Sequence, residues 1–283
     1  MKQIMTEFIR ISILIIVWSM SVITISAEEV IIESIYDKNN NSWDNRSLIQ
    51  TTSHADEYVG AVKLGAFTMP ELTDKNQNEI FEEASKCIVR IEMGQYVGSG
   101  LIWNMEENGM VLAANKHLLR ESAYGMVTFA NEMVLQAEVL HFSQECDLGF
   151  LFIPREQLYT ELLRECYEVR KVPNEVEQTD ELFAEKKIIQ IASSERVASD
   201  CYKGTVKRMV FVPEFQTYML ETMCFSEAGM SGGGVFDEKG NCLGMIAGGE
   251  VGMNDLERKS EITYSIPVWQ IENEYRKIKC IGN

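Results

Sequence analysis

The sequence predicts an all-β fold, a barrel or a sandwich assembled from many short strands. Two observations carry this expectation. From residue 87 onward the chain breaks into short apolar or alternating segments of strand length, each bounded by turn-forming residues. Helical periodicity, by contrast, is confined to residues 71–86, 155–170 and 268–279. The composition supports a real core, with 46% hydrophobic and 24% charged residues in 283.

Residues 1–10 carry Lys2 and Arg10 against Glu7, and residues 11–27 are apolar apart from Ser and Thr. The run ends on Ile25, Ser26 and Ala27, and Glu28 and Glu29 follow at once. A basic start, an apolar run and a small-residue end make a secretory signal peptide. The run of 17 residues also reaches the lower limit for a membrane span, so an uncleaved anchor competes with the cleaved signal. Either one places the remainder outside the cytoplasm, in a secreted or membrane-anchored protein. Residues 28–70 show no sustained period, and Asn39, Asn40, Asn41, Ser42, Asp44 and Asn45 mark a polar linker. Residues 71–283 form the folded domain. Over 71–86, Ile80, Phe81 and Ala84 share one helical face. Strands are then expected at 87–93, 98–103, 110–114, 126–129, 134–142 and 148–153. A second set follows at 187–192, 204–212, 218–223, 234–236 and 242–247, and the chain closes on the helix over 268–279.

A net charge of -17 argues against nucleic acid and against anionic membrane surfaces as partners, leaving the N-terminal segment as the membrane contact. Seven cysteines show no Cys-x-x-Cys spacing, and although Cys146 lies five residues after His141 nothing else converges there, so neither a metal nor a cofactor is expected. The cysteines read as small buried hydrophobes. Nothing in the sequence specifies an oligomeric state.

The chemistry concentrates at Gly229-Met-Ser231-Gly-Gly233. A serine between glycines suits either a plain turn or a nucleophile beside free backbone N–H groups. Gly-x-Ser-x-Gly also occurs in α/β-hydrolases, but their histidine follows the serine. Here His54, His117 and His141 all precede Ser231. His54 falls in the linker and His141 ends a strand without special neighbours. His117 follows the apolar strand 110–114, which would hold a base rigidly. Asp147 opens the apolar run 148–153, where desolvation demands a partner for its carboxylate, and an imidazole N–H fits.

These motifs together resemble the trypsin-like serine peptidases of the chymotrypsin fold, and most of all the bacterial HtrA/Deg protease domain. Gly98-Ser-Gly-Leu-Ile-Trp with Asn108-Gly-Met-Val-Leu-Ala-Ala-Asn-Lys-His117 is similar to that family's GSG…TNxH segment. Cys146-Asp-Leu-Gly-Phe-Leu-Phe is similar to its S-D-(L/I)-A-L-L segment. The run from Leu220 to Asp237 aligns without a gap on its serine segment. Lys203-Gly-Thr-Val resembles its S-G-x-V strand, and Tyr264-Ser-Ile-Pro267 its closing strand.

The resemblance implies two six-stranded antiparallel β-barrels with short helices and a C-terminal helix; the short stretch after residue 279 leads to the expectation of a protease domain without a PDZ domain. It implies a serine endopeptidase acting on protein or peptide substrates, with a role in protein quality control. His117 would be the base, Asp147 its orienting acid and Ser231 the nucleophile, with Gly229 and Ser231 donating backbone N–H groups to the oxyanion. Phe225, Ala247, Gly248 and Gly249 would line the primary substrate pocket, and with no aspartate at Phe225 a small or apolar side chain is expected there. The alternative, a pseudoprotease that binds peptides without turnover, gains nothing from residues that complete the set. Three departures stand out: Met230 before the serine, Gly234 in place of proline, and Lys116 before the histidine.

Overall fold

In the computed structural model, residues 55–73, 75–171, 185–193, 200–249 and 259–281 are described. The expected signal or anchor segment 1–27 and linker residues 28–54 lie outside them. Among the described residues no helix is long and apolar enough to cross a membrane.

Two closed barrels make up the fold. The first contains β1 (Ile88–Met93), β2 (Tyr96–Glu106), β3 (Gly109–Ala114), β4 (Tyr124–Thr128), β5 (Val134–Phe142) and β6 (Gly149–Pro154), in the order β1-β2-β3-β6-β5-β4. The second contains β8 (Lys187–Ala192), β9 (Asp200–Val212), β10 (Thr217–Glu227), β11 (Gly234–Asp237), β12 (Asn241–Gly249) and β13 (Lys259–Pro267), and the β11–β12 pairing closes it. A two-residue strand, β7 (Arg170–Lys171), lies parallel to β12.

Three apolar clusters explain why strands in the two barrels read as continuous hydrophobic runs. Leu112, Ala114, Leu151 and Ile153 fill the first barrel, and Leu220, Val235, Leu243 and Ile246 fill the second. Their alternate neighbours Val111, Ala113, Phe150, Phe236 and Met245 pack into a third cluster with Trp103, Met219 and Ile271. With side chains at period two, a strand buried on both faces has no polar positions, and β3 is buried at every residue.

The helices depart from the sequence expectation in instructive ways. α1 (Ala55–Lys63) falls inside the stretch expected to be linker, and Tyr58, Ala61, Phe67 and Met69 are buried. Two buried positions a single turn apart are too few to register as a sustained period. α2 (Gln77–Ser85) starts later than expected because Asn76 caps it, accepting from the N–H groups of Asn78 and Glu79 while Glu79 reaches back to the Asn76 N–H.

The helix expected over 155–170 is instead a 3₁₀ turn, Arg155–Gln157, and one short helix. The helical portion, after α3 (Lys116–Leu119), is α4 (Thr160–Leu163). It cannot continue, because the N–H groups of Tyr167, Glu168 and Val169 donate to the carbonyls of Lys86, Phe67 and Ile102. Tertiary pairing has taken the backbone groups that a helix would need. α5 (Val268–Ile281) closes the chain as expected, with Val268, Ile271 and Tyr275 in the third cluster.

Candidate active site

β3 ends at Ala114, and the chain turns through Asn115 into α3, which places His117 in the first turn. The loop between β5 and β6 carries Asp147. It closes on itself: the Ser143 N–H donates to the Leu148 carbonyl (2.9 Å), and Ser143 Oγ accepts from the N–H groups of Glu145 (3.0 Å) and Cys146 (3.2 Å). These two elements meet. Asp147 Oδ2 lies 2.6 Å from His117 Nδ1, and Asp147 Oδ1 accepts the His117 backbone N–H at 2.9 Å. An ionised carboxylate only accepts, so Nδ1 carries the proton and Nε2 is left as the basic nitrogen. The imidazole is half exposed and the carboxylate is 18% exposed, so the pair opens to solvent along the histidine edge.

Ser231 sits in the turn between β10 and β11. Gly229, with φ +92°, and Gly232, with φ +89°, adopt left-handed backbone that favours glycine. The turn uses its N–H groups unevenly. Met230 N–H donates to Glu227 O (3.2 Å), Gly232 N–H to Ile246 O (2.8 Å) and Gly233 N–H to Met230 O (3.0 Å). Among the described residues, the N–H groups of Gly229 and Ser231 have no acceptor. Ser231 Oγ donates to the Ala247 carbonyl at 3.4 Å, a long and weak bond. Met230 is fully buried in the interior of the second barrel, so the residue that departs from the family pattern is a core residue here.

The seam between the barrels brings these parts together through β2. The Ser99 N–H donates to the Ser231 carbonyl at 2.7 Å. Ser99 Oγ donates to the Ser193 carbonyl (3.2 Å) and accepts the Ser193 N–H (2.8 Å), a reciprocal bond between barrels. A Cβ on Gly98 would stand 2.8 Å from the Leu118 side chain and 3.1 Å from the Ser231 carbonyl. Gly98 therefore lies directly between the neighbour of His117 and the serine turn. Ser99 and Asn115, whose amide donates to the Asp147 carbonyl at 3.2 Å, were not singled out from sequence as site residues. The Gly98-Ser-Gly100 run is the signal for the first, and the Asn115-Lys-His117 run is the signal for the second.

The four expected pocket residues fall on two strands. Phe225 is in β10, its ring tilted against Tyr202 with centroids 4.8 Å apart. Ala247, Gly248 and Gly249 end β12, and Ala247 is the residue that receives the Ser231 hydroxyl. A Cβ on Gly248 would meet the Phe215 ring at 3.5 Å. Among the described residues no group of three or more His, Cys, Asp or Glu side chains converges to hold a metal.

Comparison with known proteins agrees with this architecture. The chain is similar to the HtrA-type protease AlgW with a tripeptide (TM-score 0.59, 16% identity, over 72% of this chain and 64% of that one). It is similar to the serine endoprotease from Yersinia pestis (TM-score 0.57, 18% identity, over 75% and 70%). It is also similar to the inactive, serine-to-alanine mutant form of Rv3671c from M. tuberculosis H37Rv (TM-score 0.55, 13% identity, over 75% and 98%). At these identities the likeness is one of fold, and the chain spans about two thirds of the length of the AlgW structure. No curated protein sequence matches. The family model for the trypsin-like peptidase domain matches residues 98–245, just over half of the chain, from the glycine that touches Leu118 to the strand behind the serine turn. The chain belongs to the trypsin-like peptidase family.

Proposed function

We propose that this protein hydrolyses peptide bonds through an acyl-enzyme formed on Ser231. The observation that carries the proposal is the two-point contact of Asp147 with His117, together with a serine turn whose Gly229 and Ser231 N–H groups have no acceptor among the described residues. Ser231 Oγ leaves its weak bond to Ala247 and attacks the substrate carbonyl as its proton passes to His117 Nε2. Asp147 holds the ring and stabilises the imidazolium that forms. The carbonyl oxygen becomes an oxyanion between the N–H groups of Gly229 and Ser231, where losing one donor typically raises the barrier by about 2.7–4 kcal/mol. His117 then returns the proton to the leaving amine, and water repeats the sequence on the ester.

Substrates are proteins or peptides. Phe225, Ala247, Gly248 and Gly249 present an apolar lining without an acid, which favours a small or apolar side chain before the cleaved bond. The basic and apolar N-terminal segment, residues 1–27, supports placement outside the cytoplasm, secreted or membrane-anchored, and the HtrA resemblance supports work in protein quality control.

A fluorophosphonate probe tests the proposal directly. Labelling should fall on Ser231 and disappear in Ser231→Ala and His117→Ala. A folded wild-type protein that stays unlabelled, with or without added peptides, would mean a binding module instead.

A further inference from the structure

Lys116 stands immediately before the proposed base, and its side chain reaches the opposite wall. Its ammonium donates to the Ser143 carbonyl at 2.6 Å, and its backbone N–H donates to the Asp147 carbonyl at 3.2 Å. Ser143 is fully buried, and it is the residue on which the Asp147 loop closes, through its N–H to Leu148 and its hydroxyl to Glu145 and Cys146. These bonds tie Ser143 to the residues on both sides of Asp147. A charge-assisted bond to a carbonyl is shorter and stronger than a neutral one.

We infer that Lys116 is a positioning residue, a clamp from the histidine helix to the carboxylate loop that sets the His117–Asp147 contact. The clamp begins one residue before His117 and ends four residues before Asp147, so it spans the pair it would align. Asn115 adds a neutral contact to the same loop, donating from its amide to the Asp147 carbonyl at 3.2 Å. On the other side, Lys277 of α5 pairs with Glu145 at 2.7 Å, and that bond is exposed. Apart from the His117–Asp147 contact itself, Lys116 adds a charged bond between the two elements carrying the pair. The inference rests on the peptidase reading for its kinetic consequence, but its geometric content does not.

The test uses Lys116→Met, which keeps the length of the side chain and removes the donor, and Lys116→Arg, which restores a donor. Misplacement of reacting groups by about 1 Å can cost about 10²-fold, so Lys116→Met should lower kcat by about ten- to a hundredfold with KM within about twofold. The far-downfield proton resonance of the His117 Nδ1–H···Asp147 bond should broaden or vanish in Lys116→Met and return in Lys116→Arg, along with most of kcat. The resonance is read without turnover. If it responds in this way while wild-type protein hydrolyses nothing, the clamp stands and the peptidase proposal fails. A Lys116→Met protein with wild-type kcat and an unchanged resonance overturns the clamp. So does a loss of kcat that tracks a fall in Tm and is not restored by arginine.

Discussion

Replacing Gly232 by alanine tests how the serine turn is held against the first barrel. A Cβ there would stand 1.8 Å from the Ser99 carbonyl oxygen and 2.6 Å from its carbon, both backbone atoms with no rotamer to escape into. Ordinary contact begins at 3.4 Å, so the serine turn and β2 must part by about 1.6 Å. That movement breaks the 2.7 Å bond from the Ser99 N–H to the Ser231 carbonyl. The lost bond is worth about 1 kcal/mol, and a non-glycine residue at positive φ costs about 1–2 kcal/mol more. The stability loss of about 2–3 kcal/mol should lower Tm by roughly 5–10 °C. Activity should suffer more, because the turn carries both the nucleophile and its N–H donors; displacement on this scale should reduce kcat/KM by about 10²-fold or more. Fluorophosphonate labelling rates, peptide hydrolysis and thermal melts measure the two effects separately. Wild-type labelling and an unchanged Tm in Gly232→Ala would refute this picture of the seam.

Further predictions follow from named contacts. Asp147→Asn presents an amide N–H to His117 Nδ1 and favours the wrong tautomer, so kcat should drop by about 10⁴-fold while the protein stays folded; peptide hydrolysis and circular dichroism check both parts. Glu221 is buried between Lys207 Nζ (2.6 Å) and Arg208 Nε (3.1 Å). Burial alone would raise its carboxyl, but the two hydrogen-bonded cations outweigh it and hold it below the usual glutamate range. A depressed folded value means stability that is present above the unfolded glutamate value and is lost as pH falls through the folded one. Thermal melts of wild type and Glu221→Gln should therefore differ at neutral pH and converge in acid, and a constant difference down to pH of about 2 would contradict the pairing.

The strands were legible because their patterning is simple. Segments such as β5 and β8 match the expected bounds, since alternating or apolar runs between turn residues leave few other choices. The stretch over 155–170 was not legible as it stands. Leu158, Leu162, Leu163 and Cys166 are buried at spacings compatible with a helix, yet the following backbone is claimed by carbonyls of Lys86, Phe67 and Ile102. No local pattern reports that competition. α1 was missed for the opposite reason, because its buried face is too short to stand out from a polar neighbourhood.

The candidate site divides along the same line. Sequence alone determined which residues could do chemistry. Ser231 stands in a Gly-x-Ser-Gly-Gly run, every histidine precedes it, and Asp147 opens an apolar strand, and these are matters of residue type and order. Tertiary structure decided what those residues touch. Asp147 meets His117 at two points, Lys116 clamps Ser143, and Ser99 ties the serine turn to the other barrel. Each of these contacts joins segments separated by tens of residues, at distances set by strand register and barrel packing. Such distances are sums over the whole fold, and a sequence window contains none of the terms.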